Sequence, residues 1–331
     1  MVKFHILDEV NFEDFYCLLL KRGCADKDYY RWKYLKQPDN KSPTGIIAYE
    51  NNVPCGCIGI INRTYFDSNG NCHDALWFAD WFVDSAFRGK NIGFLLQREI
   101  LSYGSAIMGI TNPITAQLIA RKVGYSTSLN FYLINGVVNV GKCKRRFKSV
   151  ISLKMGVKLV LNNLYIKTIF RSKINSYKIL NFKEIYEHMS LGDSVSSFKL
   201  DEKYLDWIFK MPLNFQRDFY LCIIQGSKFL IAIDTNSEKT KTMKVFFSEV
   251  INQNGMTLRK YCMTCYSIAK YFSAIYFEFV ANLGESSDKW ILRIIGSAQP
   301  FQSHSEVITG LNPNISLIDK ESSWIDVKIN N

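Results

Sequence analysis

Blocks of period-two and helical hydrophobic spacing follow one another along this chain in a regular order. Residues 3–7 alternate and predict a short strand, after which Phe12, Phe15, Leu18 and Leu19 recur at helical spacing. A second helix is predicted over residues 26–35, stopped before Pro38. Three strands are predicted next, over 44–50, 55–63 and 74–83, joined by polar turns at Asn51-Asn52 and 67–71 into an antiparallel meander. In the third strand simple alternation puts Trp77, Ala79, Trp81 and Val83 on one face and Phe78, Asp80 and Phe82 on the other. A helix over 92–103 carries Ile92, Leu95, Leu96 and Ile100 on one side. It leads into a buried strand at 106–110, a helix at 114–123 that closes at Gly124-Tyr125, and a strand at 130–135.

The second half repeats this order faintly. Asp201-Glu-Lys-Tyr-Leu-Asp-Trp207 echoes Asp26-Lys-Asp-Tyr-Tyr-Arg-Trp32, with Tyr, then Trp three residues on, then a proline after the helix. Strands at 219–225 and 228–234 read as a hairpin across Gly226-Ser227, followed by a strand at 243–250, a helix at 258–271 and a strand at 274–280. The expectation is an α+β protein of two tandem domains, each a mixed, mostly antiparallel twisted sheet flanked by helices.

Chemistry concentrates where the third strand meets the following helix. In Arg88-Gly89-Lys90-Asn91-Ile92-Gly93 a short polar turn places first-turn amides, the positive end of a helix dipole and two cationic side chains at one point, which suits a diphosphate. This stretch, behind a strand ending in Val83, resembles the pyrophosphate loop (Gln/Arg)-x-x-Gly-x-(Gly/Ala) of the GNAT superfamily of acyl-CoA N-acyltransferases. Asn91 stands where the family usually has glycine, and Asn tolerates left-handed backbone better than most residues. The resemblance covers about residues 3–140 and implies acetyl-CoA or another acyl-CoA as co-substrate. It places Phe82, Val83, Arg88, Gly89, Lys90, Asn91, Ile92, Gly93 and Asn112 at the donor, and Tyr30 and Trp32 of the aromatic helix at the acceptor. In these terms 1–141 is the catalytic GNAT-like domain and 142–176 a basic linker or arm. Residues 177–331 form a second, degenerate GNAT-like domain, whose Gln253-Asn-Gly-Met-Thr lacks the loop.

Amide formation from a thioester needs a deprotonated amine, a polarised carbonyl and an acid for the leaving thiolate. Asp80 is the candidate base, with burial beside Phe78 and Phe82 expected to raise its pKa; the other reading is a structural carboxylate paired with a Lys, Arg or Tyr. Asp84, Asp74 and His73 stand in reserve. Many GNAT enzymes carry a tyrosine acid four residues before the Gly of the closing Gly-(Phe/Tyr), but Ala120 occupies that position here, leaving Tyr125, Tyr132 and Tyr103 by proximity alone.

Charge and cysteine content narrow the setting. The net charge of +11 matches the eleven Lys and Arg between Lys142 and Lys178, a segment without Asp or Glu. That local excess fits either an arm on an anionic membrane surface or a linker with a solvated basic face, and argues against general DNA binding. Nine cysteines, an odd number, and a first segment without an apolar core point to a reducing, cytoplasmic setting. Cys262-x-x-Cys265 has no second ligand pair nearby, so no metal is expected. The tandem arrangement resembles large GNAT proteins of bacterial surface-polysaccharide assembly, which implies a small-molecule or glycan amine acceptor such as an amino-sugar on a nucleotide or lipid carrier. Fem-type transferases, which use aminoacyl-tRNA, and a non-catalytic GNAT-fold binding module are the alternatives. The intact loop weighs against RNA as the donor carrier.

Overall fold

A computed structural model describes residues 2–24, 26–38, 42–66, 72–103, 106–111, 114–124, 126–138, 174–188, 202–249, 258–282 and 304–310. Asn112, Tyr125, the turn at 67–71 and the basic segment 142–173 lie outside them. The chain divides into two compact units, neither continuous in sequence: Met1–Asn130, Gly192–Pro212 and Ser305–Ser322 make the first, and Phe131–Leu191, Leu213–His304 and Ser323–Asn331 the second. Each is α+β, a mostly antiparallel sheet with helices on it, as the sequence pattern predicts.

In the first unit the antiparallel run is β1 (Val2–Ile6), β2 (Gly45–Glu50), β3 (Val53–Phe66) and β4 (Cys72–Val83). Asn51 and Asn52 join β2 to β3 with φ of 52° and 64°, the left-handed pair that a two-residue hairpin needs. Helices α1 (Phe12–Lys21) and α2 (Lys27–Leu35) precede this meander. Phe12, Phe15, Leu18 and Leu19, the helical stripe of the sequence, are all buried. Asp26 caps α2 by accepting from the Tyr29 amide at 2.9 Å. Helix α3 (Ile92–Ile100) buries Ile92, Leu96 and Ile100 against Ile46, Ile58, Ile60, Leu76 and Phe78 of the sheet. It then leads to β5 (Ala106–Thr111), which runs parallel to β4, and α4 (Ile114–Val123) follows.

Two features were not visible in the pattern. Strand β6 (Ser126–Val137), which follows α4, does not pair with β5; its residues 131–137 pair with the late strand β11 (Tyr276–Asn282) in the second unit. The place beside β5 is taken by β12 (His304–Gly310), with Glu306 opposite Thr111 and Gly310 opposite Ile107. Each half of the sequence therefore contributes a strand to the other half's sheet. The second difference is α6 (Glu202–Phe209), which lies in the first unit beside α2. Trp32 and Trp207 stack with ring centroids 4.4 Å apart, and each indole donates to the other's carbonyl, at 3.1 and 3.3 Å.

The second unit holds β7 (Asn175–Ile179), β8 (Gln216–Ile224), β9 (Ser227–Thr235) and β10 (Lys241–Glu249), then β11 parallel to β10, with α5 (Phe182–His188) after β7. Its hairpin turns at Gln225-Gly226, φ 50° and 80°, one residue earlier than Gly226-Ser227. Helix α7 (Leu258–Tyr271) packs Cys265, Ile268 and Ala269 on Phe229, Ile231, Met243 and Phe277. The two units share one plan, an antiparallel meander followed by a parallel strand–helix–strand crossover, β4–α3–β5 in the first and β10–α7–β11 in the second.

Because β12 satisfies the free edge of β5, truncating the chain before His304 should leave the β5 amides exchange-labile and lower the thermal midpoint. Hydrogen exchange of 106–111 in the truncated and full chains checks this; equal protection would mean that β12 is dispensable.

Candidate active site

The site is built on an irregularity in β4. Ala79 pairs with Gly59 and Phe82 with Cys57, so two residues, Asp80 and Trp81, stand opposite the single Ile58. This is a β-bulge, and Asp80 carries it with φ of 50°. A non-glycine residue in this region costs about 1–2 kcal/mol, which must be met by its surroundings.

The bulge also changes the parity of the strand. Leu76 and Phe78 face α3 before it, and Trp81 and Val83 pack on the same core after it. Strict alternation would have put Phe78 beside Asp80; instead the Asp80 side chain points to the α1 and α2 side. There Arg22 Nη1 donates to Oδ1 at 2.7 Å, while Lys33 Nζ at 2.6 Å and Tyr34 Oη at 2.5 Å donate to Oδ2. Lys33 is fully buried, ringed by Tyr29, Tyr30 and Tyr34 at 5.2–5.8 Å from the ring centroids. Tyr34 reaches Asp80 across Gly59, where an added Cβ would lie 2.1 Å from the ring. Glycine is obligatory at that position.

This geometry reverses the expected titration of Asp80. Burial pushes its carboxyl up, but Lys33, the hydrogen bonds from Lys33 and Tyr34, and Arg22 together outweigh burial and hold it below the ordinary 3.8. Tyr34 moves the other way: burial and then the adjacent carboxylate push its phenol well up, so it remains a donor. Asp80 is therefore a carboxylate held ionised by three donors, the paired alternative that the sequence left open. Arg22, Lys33 and Tyr34 were not singled out from sequence. The available signal was a lysine between Trp32 and Tyr34 in an aromatic helix, matched to an acid in an apolar strand.

Past the bulge, the candidate donor residues lie in order. The ladder between β4 and β5 covers Ala75–Phe78 and Ala106–Gly109 and goes no further, so the two strands part just before Asp80. Phe82 and Val83 follow, half-buried, and Asp84 caps a short 3-10 turn, Ser85–Phe87, through the Ala86 amide at 3.1 Å and pairs with Lys21. Arg88, Gly89, Lys90 and Asn91 form an exposed loop, with Lys90 paired to Glu50 at 2.5 Å. Asn91 takes φ 61° and ψ 14°, left-handed backbone, and its carbonyl accepts from Leu95 to open α3. Its place in the loop is thus one where glycine or asparagine fits and most residues do not. Ile92 and Gly93 are buried in the first turn, and a Cβ at Gly93 would lie 3.1 Å from the Trp81 ring, so the glycine brings the helix start onto β4.

The acceptor and acid candidates divide. Tyr30 is buried, and Trp32 is committed to Trp207 on both its face and its N–H. Tyr103, in the turn after α3, donates to Glu99 of that helix at 3.2 Å. Asn112 and Tyr125 lie outside the described residues, as do the side chains of His73, Ala120 and Tyr132.

A bulged strand thus parts from its parallel neighbour and leads through a loop, left-handed at Gly89 and Asn91, into a helix start. Residues 9–124 match the family described as acetyltransferase (GNAT). Solved structures share the fold over most of the chain. A GCN5-related N-acetyltransferase from Anabaena variabilis superposes with a TM-score of 0.55 at 11% identity, covering 93% of this chain and 72% of that one. One from Kribbella flavida gives 0.54 at 10%, covering 93% and 70%. The N-myristoyltransferase of Saccharomyces cerevisiae, solved with bound myristoyl-CoA, gives 0.55 at 11%, covering 95% and 81%. No curated protein matches the chain by sequence. At these identities the likeness is one of fold.

Replacing Asp80 with Asn would leave the Lys33 ammonium buried without its counter-charge, at a cost of about 3–5 kcal/mol at neutral pH in urea unfolding. Because the folded pKa of Asp80 lies below its unfolded value, its contribution is complete above the unfolded value and is lost as pH falls through the folded one. The gap between wild type and Asp80→Asn should therefore close in acid, and a gap independent of pH would contradict the network.

Proposed function

We propose that this chain is an acyl-CoA-dependent acyltransferase that moves an acetyl group from acetyl-CoA to the amine of a small molecule or glycan precursor. The observation that carries the proposal is the run from the bulge at Asp80 to the start of α3. A pantetheine chain would pair with the backbone at Phe82 and Val83, where β4 is no longer joined to β5. The diphosphate would lie on the amides from Gly89 to Gly93, with Arg88 and Lys90 supplying positive charge.

The amine would attack the thioester carbonyl directly in a ternary complex, with the carbonyl polarised by a backbone amide near Trp81 to Val83; as the C–N bond forms the C–S bond breaks, and CoA leaves as the thiolate, which takes a proton from solvent. A carboxylate held by three donors is a weak proton acceptor, so Asp80 acts as an anchor, and the amine is supplied neutral or loses its proton to water. An amino-sugar acceptor and a place in surface-polysaccharide assembly follow from the tandem resemblance. The half carrying β7 to β11 supplies a second domain of the same plan without a donor loop. Among the described residues no helix is long and apolar enough to cross a membrane. A cytoplasmic setting, with the basic segment lying on an anionic membrane surface, is part of the same proposal.

Acetyl-CoA at a hundred times its dissociation constant should stabilise the chain by about 2.7 kcal/mol, read as a rise in thermal midpoint. Indifference to millimolar acetyl-CoA would rule out the donor reading. Asn91→Gly should retain this stabilisation and Asn91→Val should lose most of it, because a β-branched residue resists φ near 61°.

A further inference from the structure

We infer that Arg22, Lys33 and Tyr34 are positioning residues for the donor site, acting through the left-handed backbone of Asp80 to hold the β4 bulge on which donor binding depends. The inference rests on the donor reading above and goes beyond it, since it assigns the α1–α2 region a task at the opposite face of β4.

The reasoning begins with conformation. An aspartate with φ of 50° inside a strand is held against its preference. If it relaxed to extended geometry the extra residue would be absorbed, and Trp81 and Val83 would exchange faces with Phe82. Trp81 would then leave Gly93, against which it packs at the start of α3. The edge at Phe82 and Val83 and the first turn of α3 would both be displaced. What opposes relaxation is the side chain, fixed on both oxygens by three donors from two elements. Arg22 follows the last turn of α1, while Lys33 and Tyr34 lie on α2.

The second unit supplies an internal comparison. In β10 the register with β9 shifts at Phe246, two residues after pairing with β11 ends at Lys244, just as Asp80 comes two residues after pairing with β5 ends at Phe78. Phe246 is not left-handed, and its neighbourhood has an ion group of its own: Asp234 on β9 binds Arg217 and Lys244. The bulge recurs in both units, whereas the clamp on a left-handed acid at the bulge belongs to the unit with the loop.

The test separates backbone from charge. In Asp80→Gly/Lys33→Met and Asp80→Val/Lys33→Met the carboxylate and the buried ammonium are both removed, and Tyr34 loses the same acceptor. The two differ in whether residue 80 accepts a positive φ. CoA itself is the probe, by titration calorimetry below both melting temperatures, alongside amide exchange of residues 81–83 in the free proteins. The glycine variant should bind CoA within about threefold of wild type, and the valine variant about tenfold or more weaker with faster exchange. Equal CoA affinity and equal exchange in the two variants would overturn the inference. Failure of the wild type to bind CoA would instead defeat the donor reading, and the exchange comparison would then decide the clamp alone: faster exchange in the valine variant supports it, and equal rates overturn it.

Discussion

The hydrogen-bonded carboxylate of Asp80 is the point on which the first unit turns. It sits in a backbone conformation that an L-residue avoids, and it is stripped of water, which by itself would favour its neutral form. Two cations and a phenol reverse that balance, and they can do so only because α1 and α2 bring them to one side of β4. Lys33 depends on the carboxylate in return, since a buried ammonium without a partner is among the costliest defects a core can hold. The mutual dependence ties the two N-terminal helices to the strand that leads into the loop Arg88–Gly93.

The duplicated plan shows which parts of the frame are general. Both units run an antiparallel meander into a parallel crossover, and both bulge the strand before the crossover helix two residues after parallel pairing stops. The aromatic helices α2 and α6 present tryptophans that stack and exchange hydrogen bonds in reciprocal fashion. The loop Arg88–Gly93 has no such counterpart in sequence, and the cluster on a left-handed acid has none at the second bulge, so the two units share a frame but not these features.

Much of this was legible in the order of residues. Helices over 114–123 and 258–271 end where the hydrophobic spacing ends, and Asp26 and Asn51-Asn52 take the cap and turn that their side chains favour. These are local matters: period, capping and turn geometry act within a few residues, so a single sequence carries them. The loop Arg88–Gly93 was legible as a strand–helix junction for the same reason, being one continuous stretch.

What tertiary structure decided was partnership. Strict alternation placed Asp80 beside Phe78; the bulge separated them, because one extra residue reverses every side chain that follows it. The direction of the Asp80 titration depends on Lys33, Tyr34 and Arg22, which lie 46 to 58 residues away in the chain and whose approach no local pattern encodes. The exchange of β6 and β12 between the sheets likewise rests on pairing across long separations, where a strand's own residues say that it will pair but not with what. By itself the sequence determined the elements, their order and the loop; the fold decided which face each residue serves and which charge it meets.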